Sequence, residues 1–165
     1  MKPNLLQLLA VTERFERQGI SYALGGSGLL YSLGLTDTIR DWDMTTDAPK
    51  ELVLGVLDSL HVEEIESGVF PFASHYKLLV HQNNPQVEVI GHFSIVTEKG
   101  ICNLPILPFR NWKGIQVASP EVWYTAYALM GRTAKANILW SFLNSNGANR
   151  VAIQTLLRLP LSSMM

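Results

Sequence analysis

A chain of 165 residues fits one compact domain, and at that length it can bury roughly 70% of its unfolded surface, enough to fold without disulfides or a structural metal. Apolar residues make up 47% and charged residues 16%, which excludes a disordered chain. Lys and Arg total 13 against 14 Asp and Glu; the formal charge of -1 argues against a broad basic surface for duplex nucleic acid and leaves room only for a local basic groove.

The opening residues carry no secretion signal, because the apolar run after Asn4 is broken by Gln7 and then by Glu13, Arg14, Glu16 and Arg17. No apolar stretch approaches the roughly 18 residues that span a bilayer. The single Cys102 cannot form an intramolecular disulfide. A soluble protein of a reducing, cytoplasmic compartment is expected.

Residues 4–18 place Leu5, Leu8, Leu9, Thr12 and Phe15 at helical spacing, predicting an amphipathic helix that ends at Gly19. Ile20 to Leu24 reads as a short buried strand, running into Gly25-Gly26-Ser27-Gly28 and then into a helical run from Leu29 to Leu33. The period-two alternation of Arg40-Asp41-Trp42-Asp43-Met44 predicts a strand with two unlike faces. Lys50 to Leu60 follows as a helix, with Asp47 as its N-cap and Pro49 in its first turn. Strands are predicted at Val62–Ile65, His75–His81 and Val87–Ile90. After residue 104, Pro105, Pro108 and Gly114 punctuate a connection. Ser119-Pro120-Glu121 then opens a helix through Met130, and two more helices are predicted at about 133–144 and 148–158. The fold class is therefore α+β: a mixed sheet with flanking helices over 1–110, then a small helical part over 111–165.

Chemistry concentrates between Gly25 and Asp43. A glycine pair and a serine between strand and helix can gather backbone N–H groups and a hydroxyl around an anion. Asp41 and Asp43, two apart on a strand, send both carboxylates to one face and Trp42 to the other. Such a pair is costly unless water or a cation separates the charges, and Mg²⁺ takes one or two carboxylates together with substrate phosphates. Glu88 is the one charged residue in Val87–Ile90, and a third carboxylate next to the pair would allow two metal ions.

Leu24-Gly25-Gly26-Ser27, then Asp41-Trp42-Asp43 beginning 14 residues after the serine, then an isolated acid on a later strand, resembles the nucleotidyltransferase superfamily with the DNA polymerase beta-like fold. The likeness covers about residues 20–92. It implies that Gly25, Gly26 and Ser27 contact the phosphates of a nucleoside triphosphate such as ATP, and that Asp41 and Asp43 ligate two magnesium ions. It implies further that Glu88 ligates the catalytic metal and helps activate an acceptor hydroxyl, with release of pyrophosphate. The pattern departs from the family at Trp42, where an aliphatic residue is usual, at Glu88, where Asp is commoner, and at Ala136, where a Lys-Asp pair often continues after Lys135. Arg132 and Lys135 are accordingly expected on a solvated helix face.

The segment from Arg40 to Pro49 also resembles the head of tRNA CCA-adding enzymes, but the size and layout are closer to small antibiotic nucleotidyltransferases and nucleotidyltransferase toxins. The acceptor stays open among a small molecule, an RNA end and a protein hydroxyl. Small relatives also form homodimers. Two rivals remain at this level: an inactive nucleotide-binding or protein-interaction module of the same fold, and a ferredoxin-like domain whose acids never converge. His61, His75, His81 and His92 lack zinc-ligand spacing. Trp112, Trp123, Tyr124, Tyr127 and Trp140 fit a core better than a stacking platform.

Overall fold

The computed structural model describes residues 2–162; Met1 and Ser163–Met165, the outer ends of the two expected units, lie outside the described residues. The elements run α1 (Leu6–Arg17), β1 (Ala23–Gly25), α2 (Gly26–Ser32), β2 (Asp41–Thr46), α3 (Lys50–Val56), β3 (Val62–Ile65), β4 (Tyr76–Val80), β5 (Gln86–Gly91), β6 (Ser94–Thr97), β7 (Gly100–Asn103), β8 (Pro108–Trp112), β9 (Ile115–Ala118), α4 (Pro120–Leu129), α5 (Thr133–Asn146) and α6 (Arg150–Leu157). Seven strands form one mixed sheet in the order β3-β4-β5-β2-β1-β9-β8, and β6 and β7 make a separate hairpin. This is the α+β arrangement that the sequence pattern predicts.

Alternation along the strands divides the core in two. Trp42 and Met44 of β2, Val87 and Val89 of β5, and Leu78 and Val80 of β4 face Leu8, Val11 and Phe15 of α1 and Val53 and Leu57 near α3. Ala23 and Ile90 belong to the second core, with Leu29 and Leu30 of α2 and Val122, Trp123, Ala126 and Tyr127 of α4. Trp42 is fully buried and does not crowd the polar face. Its ring meets Tyr31 edge-on at 6.5 Å between centroids.

Two expectations need correction. The N-cap of α3 is Pro49, with no side-chain cap, and the helix stops at Val56 rather than Leu60. Asp47 is exposed, and the local turn is held instead by Thr46, whose Oγ1 accepts from the Ala48 N–H at 3.2 Å and donates to the Ser21 carbonyl at 2.8 Å. The stretch after residue 104 is not a mere connection, since β8 and β9 form an antiparallel hairpin and β9 pairs parallel with β1 at Leu24↔Val117. Pro108 stands on an edge strand, beside the register shift between Pro108 and Arg110, the kind of place where a strand tolerates proline. The two-residue turn Lys113-Gly114 has positive φ at both positions, as a hairpin of right-handed twist requires.

The division expected between residues 110 and 111 falls inside β8, and sheet continues to Ala118. The helical part opens at Ser119, whose Oγ accepts from the Val122 N–H at 3.3 Å. Glu121, only 7% exposed, accepts from the Ser119 hydroxyl at 2.8 Å and from the Asn149 N–H at 2.6 Å. One buried carboxylate thus joins the start of α4 to the start of α6. No described helix is long and apolar enough to cross a membrane.

Trp42→Ala should lower unfolding stability by about 3–5 kcal/mol, the range for deleting a buried aromatic ring. Urea denaturation measures it, and a loss under about 1 kcal/mol would mean that the ring is not packed as described.

Candidate active site

The polar face of the sheet is built by register. Gly25 of β1 pairs with Asp43 of β2, and Asp43 pairs with Glu88 of β5, so the three positions form one row across neighbouring strands. The parallel β2–β5 register therefore sets the two carboxylates side by side. Asp41 lies two residues earlier on the same face, opposite Gln86. Above the row, Gly26, Ser27, Asp43 and Glu88 line a cleft of about 170 Å³, roofed by Trp123, Tyr127 and Met130 of the helical part. Asp41 and Gly25 are not in that lining.

The turn between β1 and α2 is tight. Gly26 has φ +56, and a Cβ there would strike the Asp43 carboxylate; a Cβ on Gly25 would run into the Trp123 indole. The indole, stacked on Phe93 at 5.1 Å, closes over Gly25, and Gly26 and Ser27 alone of the turn face the cleft. The Ser27 hydroxyl donates to the Asp41 carbonyl at 3.5 Å.

Asp43 and Glu88 stand side by side across the ladder. Burial, then the Glu88 charge and a side-chain hydrogen bond with Glu88, then Asp41, hold Asp43 well above the usual carboxylate range, with Lys77 opposing. Asp41 is also raised, by burial and by Glu88, against the pull of Arg40. Two hard-oxygen donors set side by side, Asp43 and Glu88, fit a divalent cation, which ordinarily takes one or two carboxylates and completes its shell from phosphates and water. Among the described residues no group of three or more His, Cys, Asp and Glu is clustered to hold a metal ion. The fit is therefore that of the Asp43–Glu88 pair, with Asp41 nearby.

Three cations also line the cleft: Lys77, Arg132 and Lys135. Arg132 is exposed and Lys135 half-buried, so the solvated helix face expected for them also borders the acid cleft. Arg132 caps the start of α5, its N–H bonded to the Tyr127 carbonyl at 2.9 Å, and the Lys135 ammonium lies 5.6 Å from the Tyr127 ring centre. Tyr127 is 2% exposed and its hydroxyl has no hydrogen-bond partner among the described residues. Burial and the Asp43 charge push that phenol upward, and Arg132 opposes them. Sequence reasoning passed over Lys77, although it is the lone charge in β4 just as Glu88 is the lone charge in β5.

The histidines stay outside the site. β5 ends at Gly91, and His92 turns away at φ +53, stacks on His75 at 4.3 Å and brings Nδ1 to 3.7 Å from Asp47.

No family model matches this sequence, and no curated protein matches it significantly. Solved structures do resemble the fold. A candidate nucleotidyltransferase from Thermotoga maritima superposes with a TM-score of 0.61 at 23% identity, covering 84% of this chain and 91% of that one. The solution structure of the antibiotic-resistance factor ANT(2'')-Ia gives 0.59 at 11% identity, covering 92% and 88%. The crystal structure of ANT(2'')-Ia in complex with adenylyl-2''-tobramycin gives 0.56 at 12% identity, covering 93% and 92%. At these identities the likeness establishes the fold: this chain has the nucleotidyltransferase fold.

Two consequences follow for stability. Gly26→Ala should destabilise more than Gly34→Ala in urea melts. Both glycines have positive φ, which costs an L-residue about 1–2 kcal/mol, but Gly34 has open space where Gly26 meets Asp43. Equal losses would mean that Gly26 does not press on the carboxylate. A folded-state pKa raised above the ordinary 3.8 makes Asp43 bind more protons folded than unfolded, so its contribution falls as pH rises through the folded value. In metal-free buffer, Asp43→Asn should therefore melt higher than wild type at pH 7, by about 2–4 °C per kcal/mol in a domain of this size, and the gap should close toward pH 4. Parallel thermal melts across that range check it.

Proposed function

We propose that the chain transfers a nucleoside monophosphate from a nucleoside triphosphate to a hydroxyl acceptor, with magnesium and with release of pyrophosphate. The observation that carries this reading is the side-by-side placement of Asp43 and Glu88, across the β2–β5 pair, beneath the Gly26–Ser27 turn. The nucleotidyltransferase fold supports it, as does the adenylylated compound held by ANT(2'')-Ia.

In this reading Asp43 and Glu88 hold the metal, and Asp41, two residues along the same face, supplies a further oxygen. Bound there, magnesium would neutralise phosphate charge and acidify the acceptor hydroxyl. Gly26 and Ser27 contribute a backbone N–H and a hydroxyl toward the phosphates, and Gly25 serves by letting Trp123 close over the turn. Arg132 and Lys135 face the triphosphate with positive charge, and the unpartnered Tyr127 hydroxyl has a proton to donate to it. The acceptor oxygen bonds to the α-phosphorus, the bond from that phosphorus to the β-phosphate oxygen breaks, and pyrophosphate leaves with the electron pair. Glu88 takes the acceptor's proton and passes it to solvent. Catalysis is then a matter of alignment and charge stabilisation, with no covalent intermediate on the protein.

The test is magnesium-dependent pyrophosphate release, with labelled nucleoside triphosphates and a panel of small-molecule, RNA and protein hydroxyl acceptors. Wild type should label one class, and Asp43→Ala should reduce turnover by at least about a thousandfold. Turnover retained in Asp43→Ala would refute the assignment. Nucleotide binding without transfer to any acceptor would establish an inert binding module in its place.

A further inference from the structure

The acid pair already has a cation beside it. On β4, Lys77 lies opposite Ile90 and Leu79 lies opposite Glu88, so Lys77 and Glu88 are diagonal neighbours on the same face of the sheet. The Lys77 ammonium sits 3.2 Å from Glu88 Oε1, and the two side chains are only 22% and 19% exposed. The ring centre of Phe72 lies 5.9 Å from the same nitrogen. This is unlike the exposed pair of Lys50 and Glu64 at 3.3 Å, where water screens both charges and holding the geometry gains little. In the cleft, an ammonium and a carboxylate have both lost much of their water, so each depends on the other for compensation.

Glu88 therefore has two close neighbours: the Asp43 carboxylate across the ladder, and the Lys77 ammonium. A divalent ion using Glu88 must either displace Lys77 or bind against its charge at close range. We propose that Lys77 is a built-in competitor for the metal, an ammonium that holds Glu88 in the free protein and keeps divalent ions weakly bound there. This inference rests on the metal reading of the preceding section. Lys77 is in these terms a positioning residue acting through Glu88, and what it sets is the affinity of the site for the ion.

The test is titration of the full chain with Mn²⁺ alone, the free ion followed by its electron paramagnetic resonance signal. Lys77→Met should bind Mn²⁺ at least tenfold more tightly than wild type, Lys77→Arg should stay near wild type, and Lys50→Met should change nothing. Lys77→Gln serves if the methionine variant fails to melt cooperatively. Asp43→Asn should lose the binding. If Asp43→Asn loses the ion while wild type and both uncharged Lys77 variants bind it equally, or the uncharged variants bind it more weakly, the competitor role is overturned and the metal reading stands. If none of these chains binds Mn²⁺, the metal reading itself falls and takes this inference with it.

Discussion

Two carboxylates on neighbouring strands cannot both be charged and dry, and this is the tension around which the polar half of the molecule is arranged. The parallel ladder between β2 and β5 leaves no freedom in the matter: Asp43 stands against Glu88 as surely as Met44 stands against Val89. Slipping β2 by one residue would relieve the acids, but it would also turn Trp42 and Met44 out of a core in which both are fully buried. Burial on one face thus fixes an unfavourable contact on the other. The cost is met locally by Lys77, whose ammonium lies 3.2 Å from Glu88.

Much of this was legible because it depends on period and spacing. The alternation Asp41-Trp42-Asp43-Met44 gives the strand and assigns its faces, and the isolated Glu88 marks a strand whose one charge must have a destination. The glycine turn is readable as well, though its meaning is partly different. Gly25 is required because an indole rests on it, and Gly26 because Asp43 lies where a Cβ would be. The roles are those of steric clearance, which a sequence does not distinguish from anion binding.

What could not be read depends on packing between distant segments. Nothing in Tyr76–Val80 says that β4 lies beside β5, so nothing connects Lys77 to Glu88 before the sheet order is known. Arg132 and Lys135 follow Gly131 at a helix start, an ordinary place for solvated cations. Only the packing of α4 on the second core carries them to the cleft. The β8–β9 hairpin was hidden for another reason. Pro108 argues against a strand in the middle of a sheet but not at its edge, and edge position is a property of topology rather than of local sequence.

The helical part is therefore more than an appendage to the sheet. Tyr127 and Lys135 are brought together by the α4–α5 corner, where the Arg132 N–H closes on the Tyr127 carbonyl, and that corner is held over the acids by the stack of Trp123 on Phe93. Glu121 extends the same logic to α6 by accepting a hydrogen bond from the Asn149 N–H. The contacts of Trp123 with Phe93 and of Glu121 with Asn149 join a helix to something far away in sequence, so disturbing either would move positive charge relative to Asp43 without touching the carboxylate itself. The acids are placed by a ladder that barely yields, and the cations by side-chain packing that can. In such a site the helical side is the part that can adjust, and the sheet side is the part that stays fixed.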